Sequence, residues 1–205
     1  MNFQGLLEIA PSILFALTIH EYAHALIAYK QGDPTARDMG RLTFNPIAHL
    51  DPIGTFMLFL VHFGWGKPVP VNPSNLRDPK KDMMWISLSG PASNVLSAAL
   101  LGIVFRILIL LGLGVTPILK IISNTVLISL MLGFFNLLPI PPLDGSSILA
   151  GLLPLESERR YRQLERPLFL GLMGLILIGM LSQVSIIGMI IRPPVTLFYR
   201  IFMGF

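Results

Sequence analysis

The chain contains no cysteine, which excludes a disulfide framework and any thiolate metal site, so a bound metal would be held by His, Asp or Glu. Charge is scarce too. Only 13% of the 205 residues are Asp, Glu, Lys or Arg, against roughly a quarter in an ordinary soluble domain, while 53% are hydrophobic. A membrane is therefore the expected solvent. The net charge of +4 is spread over loops with no aromatic residues interleaved among the basic ones, which excludes a nucleic-acid groove. The leading residues lack the basic segment and small-residue cleavage site of a secretory signal, so the first apolar stretch is expected to stay attached. With no internal repeat and no low-complexity tail, residues 1–205 are expected to form one domain, with a catalytic core over about 6–150 and C-terminal helices over about 167–205.

Apolar stretches run over about 6–29, 83–113, 118–138, 168–181 and 184–205, and a shorter one covers 53–63 between Pro52 and Gly64. A spanning helix needs about 20 apolar residues, so the short stretch is expected to be re-entrant. Basic residues test that choice, because cytoplasmic loops carry the Lys and Arg excess. If 53–63 does not cross, Lys30, Arg37, Arg41, Lys67, Arg77, Lys80 and Lys81 share one loop, and Arg159, Arg160, Arg162 and Arg166 share another on the same side. The fold class expected is all-α: a polytopic membrane bundle of five spans, with the N-terminus outside and the C-terminus cytoplasmic. Arg192-Pro193-Pro194 interrupts the last stretch and predicts a kink or an amphipathic tail. Lys67-Pro-Val-Pro-Val-Asn-Pro73 predicts a short extended strand in the first cytoplasmic loop.

His20-Glu21-Tyr22-Ala23-His24 is an H-E-x-x-H motif inside the first apolar stretch. On a helix of 3.6 residues per turn the two imidazoles stack on one face as zinc ligands, and Glu21 lies beside them as a general base. Ionisable groups at membrane depth cost at least about 2.5 kcal/mol each on insertion scales, so three within five residues point to function. A catalytic zinc takes a third protein ligand. The candidates are Asp144, His49, His62 and Asp51, and Asp144 is preferred, because three prolines in Asn136-Leu-Leu-Pro-Ile-Pro-Pro-Leu-Asp144 break the backbone after an apolar helix. His49 and Asp51 sit in a polar turn, where such residues more often satisfy backbone groups, and His62 is expected to be a structural interfacial residue. At 1.5 Å per residue His24 lies about 9 Å below Lys30 and Asn94 about 18 Å into its helix, both toward the cytoplasmic half.

These motifs, together with Gly90-Pro91-Ala-Ser-Asn94 and Asn136 through Asp144-Gly145, resemble the site-2 protease family of intramembrane zinc metalloproteases in its minimal form without a PDZ domain. The resemblance covers roughly the first 150 residues. It implies one Zn²⁺ per chain on His20, His24 and Asp144, Glu21 as base, and Asn94 and Asn136 as active-site asparagines, either of which can donate to a carbonyl oxygen gaining charge. The substrate implied is a membrane-anchored protein cut within or beside its transmembrane segment. The expected setting is the lipid bilayer of a prokaryotic cell, with no nucleic-acid partner and the oligomeric state open. The alternative class is a polytopic zinc or ion transporter, since His and carboxylates in helices also line ion paths. A path needs polar groups at several depths, whereas here they cluster at one.

Overall fold

The computed structural model describes residues 3–61, 64–112, 114, 116–182 and 185–204. His62 lies outside the described residues. The helices are α1 (Phe3–Lys30), α2 (Thr35–Asp38), α3 (Pro52–Val61), α4 (Pro79–Leu110), α5 (Pro117–Asn136), α6 (Asp144–Leu152), α7 (Leu155–Gln163), α8 (Glu165–Ser182) and α9 (Ile186–Met203). Among the described residues there is no sheet, only an isolated antiparallel bridge between Leu50 and Gly66.

Four helices, α4, α5, α8 and α9, are long and apolar enough to cross a membrane. They coincide with the last four of the five expected stretches. The fifth, α1, is 28 residues long, about 42 Å at 1.5 Å per residue. His20, Glu21 and His24 lower its hydropathy, and the same residues make it the chemical helix.

The bundle centre is α1, α4 and α5. Helix α4 runs antiparallel to α1: Ala28 packs near Ile86, and farther along Ser93 Oγ donates to the Ile19 carbonyl at 3.4 Å. At the far end Ser12 is buried, with Thr125 Oγ1 donating to its hydroxyl at 2.9 Å, and Lys120 pairs with Glu8 at 2.6 Å. Such hydrogen bonds between helices are worth about 0.6 kcal/mol on average in lipid. Packing of Ala98, Val126, Leu130, Val195 and Met203 supplies the adjoining apolar core.

Helix α9 departs from the expected topology. Five alternating spans would set it antiparallel to α4. Instead Val195 packs with Ala98, and Phe202 lies so near Gly102 that a Cβ there would be 2.8 Å from its carbonyl oxygen. The Arg106 guanidinium abuts Gly204. Helix α9 thus runs in the same sense as α4, and its C-terminal end sits at the Arg106 end of the bundle, opposite Lys30 and Asp82. Loop charge is blind to this, because it counts residues between helices and ignores which helix a later one packs on. The helix runs on through Pro193 and Pro194, where the sequence predicts a kink or an amphipathic tail; Pro193 faces outward.

The 50–66 excursion closes on itself. Gly66 bridges Leu50, and the Lys67 N–H donates to the His49 carbonyl at 2.9 Å. Helix α3 has ten residues, too few for a 30 Å core, and exposes Ile53, Phe56 and Leu60. Beyond it, residues 67–72 form no ladder, because Pro68 and Pro70 offer no N–H.

Candidate active site

The cluster forms where α1, α4 and the start of α6 meet. One helical turn separates His20 from His24 on α1, and their Nε2 atoms lie 3.0 Å apart. Asp144 Oδ2 is 3.1 Å from His20 Nε2 and 3.3 Å from His24 Nε2. These three side chains are the group among the described residues that could hold a metal ion. Ligands about 2.0–2.1 Å from a tetrahedral zinc are separated by about 3.3 Å, so this triangle has zinc's dimensions.

The hydrogen bonds around the rings orient their lone pairs. His24 Nδ1 lies 2.7 Å from the Ile86 carbonyl, so Nδ1–H donates there and Nε2 keeps its lone pair for the cluster. Asn94 Nδ2 lies 3.1 Å from His20 Nδ1, while Asn94 Oδ1 is buried without a partner. With the carboxamide turned over, Oδ1 accepts from His20 Nδ1–H, and His20 Nε2 faces Asp144 unprotonated. Asp144 Oδ2 is likewise buried without a hydrogen bond. Three lone pairs then converge on one point, which is repulsive unless a cation sits among them. The donor set fits zinc.

Glycine lets the elements close in. A Cβ on Gly90 of α4 would come 2.5 Å from His24 Cε1 and Nε2 and 2.7 Å from His20 Cε1. A Cβ on Gly145 would strike the Leu137 and Leu138 carbonyl oxygens, so Gly145 allows α6 to start against the turn that follows α5. That turn contains the cis Pro141–Pro142 peptide and delivers Asp144 as the first residue of α6.

A cavity of about 240 Å³ opens on the cluster, lined by His20, Glu21, His24 and Asp144 together with Pro68, Val69, Val71, Met83 and Asn136. Glu21 is 8% exposed, and its Oε2 is buried without a partner. Asn136 reaches this wall, its Nδ2 donating to the Leu132 carbonyl of its own helix at 3.0 Å. Of the other ligand candidates, His49 is fully buried and its Nε2 donates to the Thr43 carbonyl at 2.8 Å, while Asp51 caps α3 by accepting from Gly54 N–H at 2.7 Å. Both satisfy backbone groups. The sequence reading overlooked Gly90 as a site residue, although the Gly90-Pro91 pair stood in a quoted motif, and overlooked the Ile86 carbonyl, for which a sequence carries no signal.

A helix bundle that aims two imidazoles and a carboxylate at one point beside a buried glutamate has a donor set that could hold a metal ion, the arrangement a metallopeptidase requires. The profile described as Peptidase family M50 matches residues 113–180. The chain is 40% identical over 149 residues to YwhC of Bacillus subtilis, named as a zinc metalloprotease, with 70% of this chain and 68% of that protein aligned. It is 32% identical over 161 residues to Rip2 of Mycolicibacterium smegmatis and 33% identical over 157 residues to Rip2 of Mycobacterium tuberculosis, both also named as zinc metalloproteases. The chain spans 57% of the length of each of these Rip2 proteins. No solved structure matches the chain significantly. This chain belongs to peptidase family M50, whose metal is zinc.

Proposed function

We propose that the chain is an intramembrane zinc endopeptidase, cutting membrane-anchored proteins within or next to a transmembrane segment, with His20, His24 and Asp144 holding the metal. The observation that carries this reading is the unpartnered Glu21 carboxylate opening on the same cavity as the three converging ligand atoms. Zinc in that position supplies Lewis acidity, polarising a peptide carbonyl and acidifying water.

Glu21 takes the proton of the attacking water at Oε2 and returns it to the leaving amide nitrogen. Its burial keeps competing water from solvating that carboxylate. Asn94 fixes the His20 ring rather than touching substrate, and Asn136 offers an amide on the cavity wall. The Val69 and Val71 N–H and C=O groups are unpartnered among the described residues and flank the cavity, so an unwound substrate can pair with that edge. A cavity of about 240 Å³ admits only a short extended stretch, so the substrate helix unwinds before the cut.

The Lys30 and Asp82 end of the bundle is the cytoplasmic end, because the basic loops gather there. A transporter is disfavoured because the buried ionisable groups His20, Glu21 and His24, with Asn94, occupy one level, while the buried polar groups farther into the bundle, Ser12, Thr125 and Ser129, are uncharged hydroxyls. The test is a tagged transmembrane reporter incubated with purified protein in detergent, alongside zinc flux into proteoliposomes. Reporter cleavage without flux supports the proposal; flux without cleavage overturns it.

A further inference from the structure

Residues of the segment Lys67–Asn72 line one wall of the active-site cavity; it belongs to no sheet, and Val71 packs against the Ala28, Leu76 and Ile86 cluster. Its two ends are tied to buried ionisable residues of the stretch following α1. At the first end Arg41, only 4% exposed, donates from Nη2 to the Lys67 carbonyl at 2.5 Å and from Nη1 to the Pro68 carbonyl at 3.2 Å. At the other end Asp33, fully buried, accepts at Oδ2 from the Asn72 N–H at 2.7 Å. Asp33 Oδ1 accepts from Asn75 Nδ2 at 2.7 Å and from the N–H and hydroxyl of Thr35.

A buried guanidinium with no ion-paired carboxylate is costly and persists where its donors are needed. Arg41 spends both terminal nitrogens on adjacent main-chain carbonyls, a fork that lysine cannot reproduce. Between the two ties the chain is Val69-Pro70-Val71, whose prolines have no N–H to anchor it otherwise. Beside the Lys67 N–H bond to the His49 carbonyl and the packing of Val71, the wall is therefore held at both ends by two residues outside the cavity lining.

We propose that Arg41 and Asp33 are positioning residues that clamp the cavity wall 67–72 at its two ends, and that this clamp sets how tightly substrate backbone is gripped. The proposal rests on the peptidase reading for its second half and on geometry alone for its first.

The absence of cysteine allows a nitroxide to be placed without background at Pro70→Cys in the full chain in detergent. Spectra are compared for otherwise wild-type protein, Arg41→Lys, Arg41→Met and Asp33→Asn, each checked for unchanged zinc content. The clamp predicts an immobilised label in the parent, a mobile one in Arg41→Met and Asp33→Asn, and an intermediate one in Arg41→Lys. In unlabelled protein, Arg41→Met is expected to raise KM for a transmembrane reporter about fivefold or more with kcat held within about twofold. A label that stays immobile in both Arg41→Met and Asp33→Asn overturns the clamp. A mobile label with unchanged KM overturns its link to substrate. If the parent cuts no reporter while the labels behave as expected, the clamp stands and the peptidase reading falls.

Discussion

Gly90 and His24 occupy adjoining space: a methyl group at Gly90 would lie 2.5 Å from the His24 imidazole at both Cε1 and Nε2. Helix α4 is thus pressed against the face of α1 that carries the ligands, and the contact is possible because position 90 has no side chain. Gly90→Ala is expected to displace at least one imidazole and cost a hundredfold or more in activity, about what a 1 Å misplacement exacts. Zinc content should fall with it. Gly171→Ala, where an added Cβ meets nothing within 4 Å, is the control and should behave as wild type. Metal analysis of both purified variants decides the point.

Asn94 is expected to act through oxygen. If its carboxamide accepts from His20 Nδ1–H, Asn94→Asp keeps an acceptor and retains zinc, while Asn94→Leu loses about 10–100-fold in zinc affinity. Competition with a chelator of known affinity measures it. Equal affinity in Asn94→Leu and wild type would show that the amide does not orient the ring.

Acid sensitivity should come from two carboxylates outside the long apolar helices, Asp33 after α1 and Glu158 on α7. Burial opposes ionisation of Asp33, yet hydrogen bonds from Thr35, Asn75 and Asn72 outweigh it and hold the group below its ordinary 3.8. The bond from Lys80, aided by Arg162, holds Glu158 below 4.5. Both folded-state values lie below the unfolded ones, so the stability they contribute is present above the unfolded values and is lost as pH falls through the folded ones. Thermal unfolding in detergent should be flat from pH 7 to about 5 and fall below about 4, with the fall reduced in Asp33→Asn/Glu158→Gln. A fall of equal depth in that variant would place the acid sensitivity elsewhere.

Much of the site was legible because its chemistry is local. The spacing of His20 and His24 places two imidazoles on one helical face whatever surrounds them, and the prolines before Asp144 mark a broken backbone. Apolar runs likewise located α4, α5, α8 and α9. What escaped depends on packing between distant segments. The sense of α9 is set by Val195 and Met203 meeting α4 and α5, which loop charge does not encode. The strand expected over Lys67–Pro73 joins no ladder; its main chain instead bonds to the Arg41 and Asp33 side chains. Arg41 looked like one more basic loop residue until its burial showed that it faces inward.

The most direct test of the central claim compares wild type with Glu21→Gln at matched zinc content, following cleavage of a transmembrane reporter by mass spectrometry. The glutamine keeps the size of Glu21 and removes its capacity to take a proton. Zinc bound equally in both, with cleavage inside or beside the reporter's membrane segment by wild type only, is the predicted result. The same product formed at the same rate by Glu21→Gln would contradict the assignment of Glu21 as the base.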